Sequence, residues 1–242
     1  MDSQTRHALK QDKFVKATQT SATWVGDHRS SVLRFSIAAV VVLALIIAGI
    51  VFYTQRSEAA ESALGAALDV YSAQLAQPGQ PAAKGVYTTA ADRAKAANAQ
   101  FVQVANRYGW LPEGGKAHYF AGLTYEDLGQ NGSAETELKA AASSWDSNLS
   151  SLANFALAGF YHQTSRDPQA IELYNHLIAK PTTVVPAFTS QLALADLYNA
   201  AGNTAKAREI WAQVKDADKT GAAGAGGGAA GSIAAEKLNA KK

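Results

Sequence analysis

The chain contains no cysteine. That excludes a disulfide framework and a thiolate zinc site, and it suits an oxidising compartment. Proline is scarce, at 6 residues in 242. With alanine so abundant, the composition favours helix. Neither sign of charge dominates, since 22 Lys and Arg face 20 Asp and Glu for a net charge of +2. So close a balance predicts no nucleic-acid footprint.

The usual marks of chemistry are also missing. The histidines are His7, His28, His118, His162 and His176. None pairs with a second ligand at metal-binding spacing, and no H-E-x-x-H occurs. A phosphate loop of the G-x-x-x-x-G-K type is absent. Residues 221–231 contain only Gly and Ala, but this run follows no strand and opens no phosphate-binding helix. It reads as a flexible linker. Glu126 and Asp127 are adjacent carboxylates, yet helix neighbours point apart. No catalytic, cofactor-binding or metal-binding residue is therefore assigned, and the chain reads as not an enzyme.

A long apolar stretch is present. Residues 35–53 read FSIAAVVVLALIIAGIVFY and carry no charge. As a helix this run spans roughly 28 Å at 1.5 Å per residue, which matches a hydrocarbon core. It is too long for a signal-peptide h-region, and the polar segment before it, about 34 residues, exceeds the usual n-region. A retained anchor over 35–54 is expected. Arg6, Lys10, Lys13, Lys16, Arg29 and Arg34 precede it, while Arg56, Glu58, Glu61 and Asp69 follow. The basic side stays in the cytoplasm. The expectation is a single-pass protein of a bacterial inner membrane, with residues 1–34 as a cytoplasmic basic tail and everything after 54 periplasmic.

The body of the chain is written in repeats. AGLTY, LAGFY and LADLY place Tyr125, Tyr161 and Tyr198 in register, 36 and 37 residues apart. Ala134, Ala170 and Ala207 repeat with the same steps. A small residue precedes each Tyr by one turn: Gly122, Ala158 and Ala195. Downstream, Ala134-Leu138-Ala141, Ala170-Tyr174-Leu177 and Ala207-Trp211-Val214 have helical spacing, so each second helix buries one face. Turn residues separate the two helices, and Pro168 suits a first helical turn with Asp167 as N-cap. A hairpin of two such helices cannot bury both faces alone, so neighbours stack. Ala97, Phe101 and Val104 carry the same pattern 37 residues before Ala134. They make a partial unit with the helix expected over 57–77, which Gln77-Pro78-Gly79-Gln80-Pro81 closes.

These registers resemble the tetratricopeptide repeat family, whose pattern is W-x2-L-G-x2-Y followed by A-x3-F and a closing P. Ala121-Gly122, Leu157-Ala158 and Leu194-Ala195 match the L-G pair. His118, Asn154 and Gln191 stand in place of Trp. The fold class expected is all-α: one N-terminal transmembrane helix, then a tetratricopeptide-like helical-hairpin solenoid over 55–216. Clear repeats cover about 115–146, 149–181 and 186–216, a Gly/Ala linker 217–231, and a short helix or tail 232–242.

The resemblance implies a groove lined by first helices. Its positions are Lys116, Tyr119 and Glu126, then Phe155, His162 and Gln163, then Leu192, Asp196 and Asn199. Mixed aromatic and polar groups there suit peptide or protein binding. In layout, residues 30–216 resemble the YfgM-like ancillary subunits of the SecYEG translocon. That resemblance implies protein partners, namely translocon subunits and a membrane-anchored periplasmic chaperone, and no cofactor. A scaffold for another envelope assembly and an enzyme accessory subunit are the alternatives, and self-association through the Ala-rich first helix stays open.

Overall fold

The computed structural model describes residues 28–76, 85–219 and 228–240. Most of the expected basic tail, the Pro-Gly break at 77–81 and most of the Gly/Ala linker lie outside the described residues. The described residues form helices and no strand, apart from one isolated bridge between Leu75 and Tyr87. The chain divides into two units, 1–56 and 57–242.

The first unit consists of the N-terminal part of α1 (Arg29–Tyr71). It is long and apolar enough to cross a membrane, with a mean hydropathy of 3.0 over its best window and none of that window buried. Phe35, Leu45 and Ile50 are all more than half exposed. A helix satisfies its own backbone polar groups, which is what a hydrocarbon environment demands. This stretch therefore fits a single anchor.

The second unit begins inside α1, where Ala60, Leu64 and Ala67 are buried. It continues through α2 (Ala90–Tyr108), α3 (Pro112–Asp127), α4 (Asn131–Ala142), α5 (Ser147–Gln163), α6 (Asp167–Ala179), α7 (Ala187–Ala200), α8 (Thr204–Lys219) and α9 (Ala229–Asn239). From α2 onward, each helix packs on the next. The result is an all-α, tetratricopeptide-like stack of helical hairpins. The first-helix pairs α3 with α5 and α7 with α9 also touch, so first helices form one layer and second helices the other.

The repeat landmarks are the core. Ala97, Ala134, Ala170 and Ala207 are each fully buried, as are Phe101 and Leu138; Tyr174 and Trp211 are nearly so. The small position before each Tyr is buried, and in the first copy it is a place of close helix approach. A Cβ on Gly122 would stand 2.6 Å from Leu138 Cγ. The second and third copies place the fully buried Ala158 and Ala195 at this position.

The turns within the hairpins share one device. Four residues after each repeat Tyr the backbone turns left-handed: Gly129 at φ 69°, Ser165 at φ 60° and Gly202 at φ 81°. The next amide then donates to the Tyr carbonyl: Gln130 N to Tyr125 O at 2.8 Å, Arg166 N to Tyr161 O at 2.7 Å and Asn203 N to Tyr198 O at 2.8 Å. This closes the helix C-terminus and satisfies carbonyls that would otherwise lack donors. Glycine adopts such a φ without steric cost, whereas Ser165 does not.

Two expectations need correction. The Leu64-Leu68-Tyr71-Leu75 spacing predicts a helix to about residue 77, but α1 ends at Tyr71. Ser72 Oγ bonds back to Leu68 O at 2.9 Å, and the chain then extends so that Ala76 N donates to Tyr87 O at 2.8 Å. Pairing with Tyr87 wins over another helical turn. Asp167 is also not the N-cap of α6. Arg166 holds that position, and Asp167 is already helical. Its carboxylate is taken by His162 Nδ1 at 2.7 Å instead.

Candidate functional site

The layer of first helices is the surface on which the expected binding positions fall. α3 carries Lys116, Tyr119 and Glu126, α5 carries Phe155, His162 and Gln163, and α7 carries Leu192, Asp196 and Asn199.

Tyr119 is half-buried, with its ring edge-on to Phe120 at 5.3 Å. Burial pushes its phenol above the ordinary range, and the nearby Tyr71 and Glu126 push the same way. Tyr71 in turn meets Phe101 at 6.0 Å and Phe120 at 5.9 Å. These rings tie the partial first unit to the first full repeat. Glu126 is half-buried, and desolvation raises its carboxyl above the usual range. Gln163 of the next first helix offers it a hydrogen bond that pulls the other way, while Asp127 adds to the rise. Glu126 and Gln163 are thus brought together across two repeats, which their separation in sequence does not disclose.

Phe155 is half-buried and stands edge-on to Tyr174 at 5.6 Å. Tyr174 belongs to a second helix, yet it reaches the neighbourhood of Asp196. Burial first, and that carboxylate second, push its phenol up to about 12. A Tyr with so high a pKa is a neutral donor and wall, never a base at physiological pH.

Other expected positions are engaged elsewhere. His162 lies at the end of α5 and clasps Asp167 across the turn. Lys116 is about half exposed and 4.0 Å from Glu113 within its own helix. Leu192 packs against the terminal cluster of Ala207, Trp211, Val214, Ala230 and Ala234. Asp196 accepts from Lys237 Nζ of α9 at 3.0 Å. Gln163 and Asn199 are exposed. The first-helix face is therefore most open from α3 to α7, and α9 covers part of its far end.

Sequence reasoning missed the polar ties between units. Asn98 is buried on α2, and its Nδ2 donates to Thr124 Oγ1 at 3.0 Å on α3. Glu135 on α4 is a hub: it accepts from Lys139 Nζ at 2.7 Å, Arg166 Nη1 at 2.7 Å and Tyr161 OH at 3.1 Å. Those donors hold its carboxyl well down, at about 2. Arg166 also lies over the Tyr161 ring at 4.4 Å, a cation–π contact. His118 Nδ1 meets Glu137 Oε2 at 2.6 Å between α3 and α4. The Glu135–Lys139 spacing of four was the one legible signal, since such pairs meet on a helix.

No family model matches the chain, and no curated protein matches it either. Among solved structures it is similar to a variant of a kinesin light chain protein from Podosopora anserina with nearly identical TPR-like repeats. The identity is 19% with a TM-score of 0.49, over 61% of this chain and 76% of that one.

Proposed function

We propose that the chain is a membrane-anchored, non-enzymatic scaffold that binds protein segments on the first-helix face of its repeats. One observation carries the reading. Tyr119 and Glu126 on α3, and Phe155 and Gln163 on α5, are aromatic and polar groups left at least partly exposed on neighbouring first helices of the stack. Rigid aromatics supply contact area at low entropic cost, and a desolvated carboxyl beside an amide supplies directional polar contacts. The stack holds these groups in place before a partner arrives, which lowers the cost of binding.

The apolar run 35–53 supports anchorage. The excess of Lys and Arg before it supports a cytoplasmic N-terminus and a periplasmic repeat unit. Together with the repeats, this layout supports an ancillary role at the SecYEG translocon, receiving emerging envelope proteins alongside a membrane-anchored chaperone. Tethering raises the effective concentration for partners in the same membrane, so weak contacts suffice.

The test is crosslinking in native membranes followed by pull-down, comparing the wild-type chain with Gln163→Arg/Asn199→Arg. Both residues are exposed, so the change alters the face and spares the core. Translocon subunits recovered with wild type and lost with the variant are the expected result. Recovery of the same subunits by both chains refutes the face as the interface. Absence of translocon subunits from the wild-type sample refutes the translocon assignment.

A further inference from the structure

Stacked hairpins give the repeat unit two edges. One edge holds the turns inside hairpins, with Gly129, Ser165 and Gly202. The opposite edge holds the connections between hairpins, at 109–111, 143–146 and 180–186.

The chain enters the repeat unit on this second edge. The part of α1 within the repeat unit runs against α2 in the reverse sense. At the far end Arg93 Nη1 donates to Ala73 O at 3.0 Å. At the near end Ala60 shares a buried cluster with Tyr108 and Leu111. Ser57, the first residue of the unit, therefore belongs to the edge of the 109–111 connection. Only three residues, Thr54, Gln55 and Arg56, lie between Tyr53, the last of the apolar run, and Ser57, which makes four Cα–Cα steps. Even fully extended, that is at most about 14 Å of chain.

The same edge carries the two exposed tryptophans among the described residues. Trp145 is 84% exposed and Trp110 is 58% exposed. They sit on successive connections and line one shallow cavity of about 380 Å³, together with Gly115 and His118. Val184, on the third connection, is 43% exposed. Lys180 opens that third connection, and Arg107 lies at the end of α2; both are exposed. Asp146 beside Trp145 is occupied as N-cap, accepting from Asn148 N at 2.9 Å.

From this juxtaposition we propose that the Trp110–Trp145 edge docks on the lipid headgroup layer, with both indoles inserted as interfacial anchors. Solvent exposure of two large aromatic rings on successive loop tips is costly in water and favourable at a membrane interface. There the ring body meets acyl chains and the indole N–H meets headgroups. Arg107 and Lys180 complement anionic headgroups. Anchorage in the same membrane raises the effective concentration of lipid for the repeat unit, so each contact is strengthened. The inference rests on the anchored reading above, but not on the partner or the first-helix face.

The test uses the full chain reconstituted into vesicles of zwitterionic and anionic phospholipid, a share of it nitroxide-labelled near the headgroup. Trp24→Phe is compared with Trp24→Phe/Trp110→Ser/Trp145→Ser, and the difference in fluorescence reports the two edge indoles. Flotation of both chains with the vesicles establishes anchorage independently. The expected difference emission is blue-shifted and strongly quenched by labelled lipid. Emission typical of water with no lipid quenching, in chains that float, overturns the proposal while leaving the anchor intact. Shielding that grows with protein-to-lipid ratio but shows no lipid quenching also overturns it, in favour of contact between copies. Trp145→Ser alone, at the more exposed site, provides a folded control if the triple variant loses helical ellipticity. About half of the quenching signal should go with it if both indoles contribute equally.

Discussion

Gly122→Ala tests the close approach within the first hairpin. Considered as a helix residue alone, Gly122 costs about 1 kcal/mol relative to Ala, so the substitution should stabilise. The tertiary structure predicts the opposite sign. The new Cβ would lie 2.6 Å from Leu138 Cγ, 2.8 Å from Leu138 Cδ2 and 3.2 Å from the Leu138 backbone nitrogen. Leu138 is fully buried, so its side chain has nowhere free to move, and α3 and α4 must separate. Overpacking of this kind costs about 1–3 kcal/mol. Taking the middle of that range, the net effect is a loss of about 1 kcal/mol after the gain in propensity. The decisive arm is Leu138→Ala, which by itself costs about 3 kcal/mol as a buried truncation. It removes the atoms in conflict. In that background Gly122→Ala should stabilise by about 1 kcal/mol, because propensity acts unopposed and the methyl refills space. The cycle thus predicts a sign reversal and a coupling of about 2 kcal/mol. Urea unfolding of the full chain in detergent micelles, followed by far-UV ellipticity, gives the stabilities. Peptide-resolved hydrogen exchange across α3 and α4 locates them. Stabilisation by Gly122→Ala in the wild-type background would refute the argument that contact with Leu138 dictates this glycine.

Three further outcomes are expected. Ser165→Gly relieves a left-handed backbone at φ 60° and should raise stability by about 0.5–1 kcal/mol in the same urea assay; a loss would mean that the serine side chain matters more than its φ. Asn98→Ala strands Thr124 Oγ1 without its donor from α2 and should cost about 1–3 kcal/mol, with faster amide exchange in both α2 and α3; protection unchanged in α3 would contradict the bridge. Glu135 is held at about 2 against an ordinary 4.5, so its folded-state pKa is depressed. Its contribution is complete above the unfolded pKa and disappears as pH falls from 4.5 toward about 2. Partial solvent screening limits this to about 1 kcal/mol, and Glu135→Gln should flatten that part of the urea-midpoint profile between acid and neutral pH; an unchanged acid slope would count against the hub.

The repeat landmarks were legible because burial recurs. Ala134, Ala170 and Ala207 can be aligned by eye, and all prove fully buried. The turn device was legible at Gly129 and Gly202, where the residue type announces positive φ. At Ser165 the residue type does not, and only register with its two glycine counterparts points to it. Among the proposed binding positions, resemblance to the repeat family placed all nine on first helices. They could not show that Lys237 would occupy Asp196 or that Leu192 would pack beneath α9, since both depend on where a helix beyond 220–227 returns.

What the sequence by itself determined is the all-α class, the apolar span and the hairpin period. Each follows from local chemistry: propensity, an unbroken uncharged run, and apolar spacing that recurs every 36 or 37 residues. What only the tertiary structure decided is which polar groups meet. Glu135 with Arg166, Asn98 with Thr124, Glu126 with Gln163 and the shared edge of Trp110 and Trp145 join residues on different helices. Their meeting depends on how one hairpin is rotated and shifted against the next. That geometry is set by the summed packing of the stack, and no short stretch of sequence contains it.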